Sequence, residues 1–132
     1  MNIYEQQPPL VATNKLLEGY VTYICLGARK LTKVERKENE IPDKEIDENG
    51  NENPKQAWTA HTVVYKHKNP LTDDDYGPIV TAIIRSRYTA DDVEAILSNY
   101  AAEKTDEHVT EFNGFQSWRS VAKEAAREAI GK

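Results

Sequence analysis

Apolar positions recur along this chain with two different periods, and the periods predict most of its elements. From Ile79 to Tyr88 the residues alternate: Val80, Ala82, Ile84 and Tyr88 fall on one face, Thr81, Arg85 and Arg87 on the other, with Ile79 and Ile83. Successive side chains of a strand point to opposite faces, so 79–88 is predicted to be a central strand. Thr89 then occupies a helix N-cap position, with Asp91 and Asp92 in the first turn. Val93, Ile96, Leu97, Tyr100 and Ala101 follow the i, i+3, i+4, i+7, i+8 spacing of one buried stripe, which predicts a helix near 90–104. Upstream, Trp58, Ala60, Thr62 and Val64 oppose His61, Val63, Tyr65 and His67, a second strand near 57–67.

The region from Asn14 to Leu31 satisfies both periods. Tyr20, Thr22, Ile24 and Leu26 oppose Val21, Tyr23 and Cys25, whereas Leu17, Tyr20, Val21, Ile24, Ala28 and Leu31 align on a helix. The β-branched and aromatic density between Gly19 and Gly27 favours a strand, placed near 20–36 and paired antiparallel with 57–67; the helical alternative stays open. Residues 1–13, with Pro8-Pro9, are expected to be loosely ordered. Glu38 to Gln56 is rich in Asp, Glu, Asn and Pro with only Ile41 and Ile46 apolar, so it reads as a mobile acidic loop with a turn at Asn49-Gly50. Asn113 and Gln116 have capping-box spacing and open a helix near 114–130. Its stripe is Trp118, Val121, Ala122, Ala125 and Ala129. Strands followed by helices imply an α+β fold: a three- to four-stranded, mainly antiparallel sheet with two C-terminal helices packed on it, in a single domain over 1–132.

Composition narrows the function classes. With 39% hydrophobic and 30% charged residues, and no apolar run near the roughly 20 residues of a membrane helix, a membrane span is not expected. The N-terminus lacks the basic-then-apolar order of a signal peptide, and the single cysteine, Cys25, sits inside an apolar run. A cytoplasmic location with Cys25 as a small buried hydrophobe is the expectation. The net charge of −5 disfavours general affinity for nucleic acid or anionic lipid. The negative charge concentrates in 31–57 and 89–132, which leaves the strand region 58–88 slightly basic.

Motifs that carry chemistry are few. Asp73-Asp74-Asp75 lacks the alternate ligand spacing and closing Glu of a calcium loop. His61 and His67 on one strand would stand roughly 20 Å apart at about 3.3 Å per residue, too far to share a metal. His108 has no second histidine at zinc spacing. No nucleophile elbow, phosphate loop or dinucleotide fingerprint is present, so no catalytic residue, metal ligand or cofactor is assigned. The candidate binding residues are basic: Arg85 and Arg87 on the strand, and Arg119, Lys123 and Arg127 at intervals of four on the last helix. Local pairing of Glu124 with Arg127 and Glu128 with Lys132 competes with that role.

Seven tyrosines and two tryptophans add contact anchors for a protein partner. The expected function is a non-enzymatic protein–protein interaction or assembly module, acting through a protein partner or self-association. An accessory or structural subunit of phage or mobile-element type fits its size. Two alternatives remain: a nucleic-acid-contact module using the basic surface, and a metal-dependent enzyme around 73–75.

Overall fold

A computed structural model describes residues 1–132 as six strands and four helices. The strands are β1 (Ile3–Tyr4), β2 (Val11–Lys15), β3 (Tyr20–Lys30), β4 (Lys44–Ile46), β5 (Glu52–Pro54) and β6 (Trp58–His67). The helices are α1 (Lys33–Glu38), α2 (Tyr76–Arg85), α3 (Ala90–Ala102) and α4 (Asp106–Ala129), with a single 3-10 turn at Asp73–Asp75 leading into α2. The class is α+β, with helices packed on a four-stranded sheet ordered β1-β6-β3-β2. Met1–Ala12 with Tyr23–Thr62 form one compact unit, and Thr13–Thr22 with Val63–Lys132 a second; β2, β3 and β6 run through both.

In the first unit, Ile3 pairs with Thr59 and Tyr4 with Trp58, antiparallel. Backbone bonds from Cys25 to Leu10 and from Leu31 to Ala57 fix β3 against its two neighbours. Residues 1–13, expected to be loose, thus supply β1 and the start of β2. Ile24, Cys25, Leu26, Leu31 and Ala57 are buried here. The strand predicted over 20–36 ends at Lys30, and α1 follows because Thr32 and Glu35 form a reciprocal capping box. The acidic segment 38–56 carries the β4–β5 hairpin, whose turn includes Asn49-Gly50. Asp47 closes that turn by accepting from the amides of Asn49 and Asn51 and from Asn53 Nδ2, each at 2.9 Å.

In the second unit, Thr13 on β2, Thr22 on β3 and His67 on β6 join side chain to side chain at 2.8 and 2.7 Å. The chain turns from β2 to β3 through Gly19, at φ +97°, where a Cβ would lie 2.7 Å from the carbonyl oxygen of His67. Only glycine allows that approach.

The main correction concerns 79–88, which is the last seven residues of α2 and the turn after it, not a strand. Ile79 and Ile83 are fully buried four residues apart, Val80 and Ile84 are half-buried, and Thr81 and Arg85 are exposed, which is helical order. β-Branched residues lower helix propensity only slightly, and burial of the Ile79/Ile83 stripe overrides it. The start signal lies upstream: Thr72 accepts from the backbone of Asp74, Asp75 accepts from the Thr72 amide, and Pro78 sits in the first turn, where it removes no needed donor. A second correction is that α4 begins at Asp106, not near 114. The Thr105 hydroxyl caps it by accepting from the His108 amide, and the helix continues through Asn113-Gly114. Three helices therefore follow β6, not two. α2 and α4 run antiparallel, since Arg87 meets Trp118 at one end while Lys132 reaches Asp73 at the other.

Two outcomes are expected. Gly19→Ala forces a strained backbone and a contact with β6, and should cost about 2 kcal/mol, read as a lower urea midpoint at unchanged slope. Glu35 is held at about 2 by the Arg29 guanidinium, and Asp92 and Asp75 lie below the usual carboxylate range because of amides at Thr89 and Thr72. Depressed folded-state values mean this stabilisation is complete above the unfolded carboxylate range and is lost as pH falls through the folded values. The melting temperature should therefore decline from about pH 4.5 towards about 2, and Glu35→Gln should flatten part of that decline.

Candidate functional site

α2, α3 and α4 enclose a shallow groove of 290 Å³ lined by Thr81, Ile84, Arg85, Val93, Leu97, Phe115 and Arg119. Its position follows from how the helices are tied together. The buried Trp118 indole N–H donates to the Ile83 carbonyl at 3.1 Å, fixing the middle of α4 to the end of α2. Small residues below it, Ala122, Ala125 and Ala126, are buried and let α4 lie close. The α2–α3 turn brings Tyr88 edge-on to Phe115, with ring centroids 5.4 Å apart and planes at 79°. Farther along, Tyr100 of α3 stacks on Phe112 of α4 at 3.9 Å. These two aromatic pairs hold α3 against α4, and the groove lies where α3 passes Phe115.

α3 forms the open wall. It has no buried residue, and Leu97 is 43% exposed despite belonging to the apolar stripe that the helical period marks for burial. Val93 is half-buried, and both line the groove. Ile84 and Phe115 make the apolar floor, with Thr81, Arg85 and Arg119 beside them. Sequence reasoning missed Ile84, Val93 and Leu97 as surface contacts above the buried Phe115; the signal was a second apolar stripe beside an already satisfied α2–α4 interface.

The five basic residues singled out from sequence separate into different settings. Arg85, in the last turn of α2 and not on a strand, shares the groove with Arg119 of α4. Both are exposed, and neither has a carboxylate within ion-pair distance. Arg87 lies in the α2–α3 turn with its guanidinium 4.5 Å from the Trp118 ring centre. Arg127 pairs with Glu124 at 3.5 Å and lies 6.0 Å from the Tyr76 ring. Lys123 is half-buried on α4. Lys132 reaches Asp73 at 3.4 Å and not Glu128.

The acidic turn is occupied by structural work. Asp75 caps at Thr72 and accepts from the Tyr65 hydroxyl at 2.8 Å. No group of three His, Cys, Asp or Glu side chains is arranged to hold a metal ion. Beside this turn a cleft of 460 Å³ includes Tyr65, His67, Lys68 and Asp74. His67 stacks between Tyr20 and Tyr65, at 5.6 and 5.4 Å. Its Nδ1 lies 2.7 Å from the Asn69 carbonyl oxygen, which can only accept, so Nδ1 carries the proton. In the neutral ring Nε2 then accepts from Thr22, whose hydroxyl in turn accepts from Thr13. Thr22 is fully buried, so this chain of donors joins three strands and presents no nucleophile. In the first unit Cys25 is buried, with Sγ 3.7 Å from the Tyr4 hydroxyl.

Burial, and then the Asp75 carboxylate, push the Tyr65 phenol up to about 12. Alkaline titration followed by tyrosinate absorbance should show a late phase near pH 12, and Tyr65→Phe should lower its amplitude by one tyrosine, burial of the Tyr4 phenol raising that group as well. A late phase of undiminished amplitude in the variant would refute the assignment.

No helix is long and apolar enough to cross a membrane. Comparison with protein-family models, curated proteins and solved structures gives no match for this chain.

Proposed function

We propose that the protein is a non-enzymatic protein-contact module and that the α2–α3–α4 groove is its docking surface. The observation that carries this reading is the open wall of α3, where Leu97 is 43% exposed and, with half-buried Val93, faces a floor of Ile84 and Phe115. Apolar surface left beside a rigid helix pair gains free energy when a partner covers it, at about 25 cal/mol per Å². At 290 Å³ the groove falls just below the roughly 300–1,000 Å³ of sites that enclose small molecules, which suits anchoring side chains better than a whole metabolite.

Nucleic acid is the weaker fit to the same surface. Phe115, the aromatic that lines the groove with the arginines, is only 4% exposed, and Trp118 is 8% exposed and already covered by Arg87, so neither offers a face on which a base could stack. The chain's net charge is also −5.

The test is a paired capture from the native host with the intact protein and with Leu97→Lys. Because Leu97 is exposed, the variant should melt within a few degrees of the original. A partner retained by the original and lost by Leu97→Lys supports the reading. The same partners captured by both proteins would sink it.

A further inference from the structure

From the rim of this groove we infer the chemistry of the partner: a protein segment that presents an apolar side chain flanked by carboxylates. The inference rests on the α2–α3–α4 groove being the contact surface, and adds what that surface selects. Arg85 and Arg119 come from different helices, yet both line the same apolar groove. Each is exposed and without an acidic partner, in a chain whose acidic residues outnumber its basic ones, 22 to 17. Elsewhere in this unit cations near carboxylates have paired, as Arg127 with Glu124 and Lys132 with Asp73. The acidic residue at the start of α3 is not available to them either: Asp92 is turned to the Thr89 amide, and the groove lining includes neither Asp91 nor Glu94.

A guanidinium is always charged and offers a planar fork of donors that matches a carboxylate with two parallel hydrogen bonds. Two such forks beside an apolar floor reward a ligand that buries a leucine- or phenylalanine-sized side chain while placing acids outward. A partner with basic residues at those places would leave four like charges facing one another. The arginines therefore set specificity and steer encounter, whereas Ile84, Val93, Leu97 and Phe115 supply the buried contact. The open α3 wall runs along the groove, so an amphipathic helix laid beside it is the form that fits.

The experiment titrates the isotopically labelled full-length protein with three synthetic amphipathic peptides and follows backbone amide shifts. The peptides share leucines at i and i+4, and their flanking positions are all Glu, all Gln or all Lys. The Glu peptide should shift the amides of Ile84, Leu97 and Phe115 and bind at least tenfold more tightly than the Gln peptide. The Lys peptide should bind least. Arg85→Gln with Arg119→Gln should bring the Glu and Gln peptides to equal affinity without altering the melting temperature. Raising the salt concentration should likewise narrow the gap between them. Equal affinity of the Glu and Gln peptides for the unaltered protein would overturn the acidic preference and leave the groove as a contact surface. Absence of groove shifts with all three peptides to millimolar concentration would overturn both. A single-stranded oligonucleotide that produces the same groove shifts more tightly than the Glu peptide would replace the protein partner with nucleic acid.

Discussion

The bond from the Trp118 indole to the Ile83 carbonyl is the constraint on which the helical unit depends. A buried indole N–H needs an acceptor, and the last carbonyls of a helix need donors. Placing Trp118 against the end of α2 satisfies both at once, and Ser86 Oγ donates to the same oxygen at 2.6 Å. Once this bond is made, little freedom remains. α4 must run back along α2, and the buried alanines allow the close approach. The turn after α2 must then carry Arg87 over the indole and Tyr88 onto Phe115. α3 starts where those contacts leave the chain, which is why its apolar stripe lies beside an interface already filled.

Much of the fold is legible in the sequence where period and start signal agree. α3 is the plainest case, because Thr89 and Asp92 cap it and the stripe begins directly behind them. β6 follows the alternation of Trp58 to His67 nearly to the residue. The region around Ile79 misleads because five β-branched residues in six positions satisfy a period of two almost as well as 3.6. The deciding clue was not in that run but in front of it. Thr72 to Asp75 repeats the threonine, two residues, carboxylate spacing seen at Thr32–Glu35 and at Thr89–Asp92, and each of the three closes as a reciprocal cap. Read as caps, the aspartates before Tyr76 announce a helix; read as charge, they look like a loop or a metal site.

The candidate site was only half legible. Sequence could select Arg85 and Arg119 as basic residues but not place them together, since that depends on α2 being helical and on the antiparallel crossing with α4. It marked Arg127 as matched locally by Glu124, but it could not separate them from Arg87, which rests on Trp118. Polar groups elsewhere are spent on order: no buried side-chain nitrogen or oxygen lacks a partner, and the Thr13–Thr22–His67 ladder is one reason. A slip of one residue in β2 or β6 would carry Thr13 or His67 to the opposite face and strand a buried hydroxyl, so the ladder fixes strand register as well as holding it.

The β4–β5 hairpin has a different consequence. Every residue of its two strands is exposed, and Asp47 closes its turn with Asn49, Gly50, Asn51 and Asn53. Its conformation is written within a few consecutive residues and draws on neither buried core. Such a loop is a natural port of entry for foreign sequence: an affinity tag, a spectroscopic probe or a second domain spliced between Glu48 and Gly50 would disturb only its own surroundings. Evolution has the same liberty there, so length and composition can drift at this tip while the helices and their groove stay as they are.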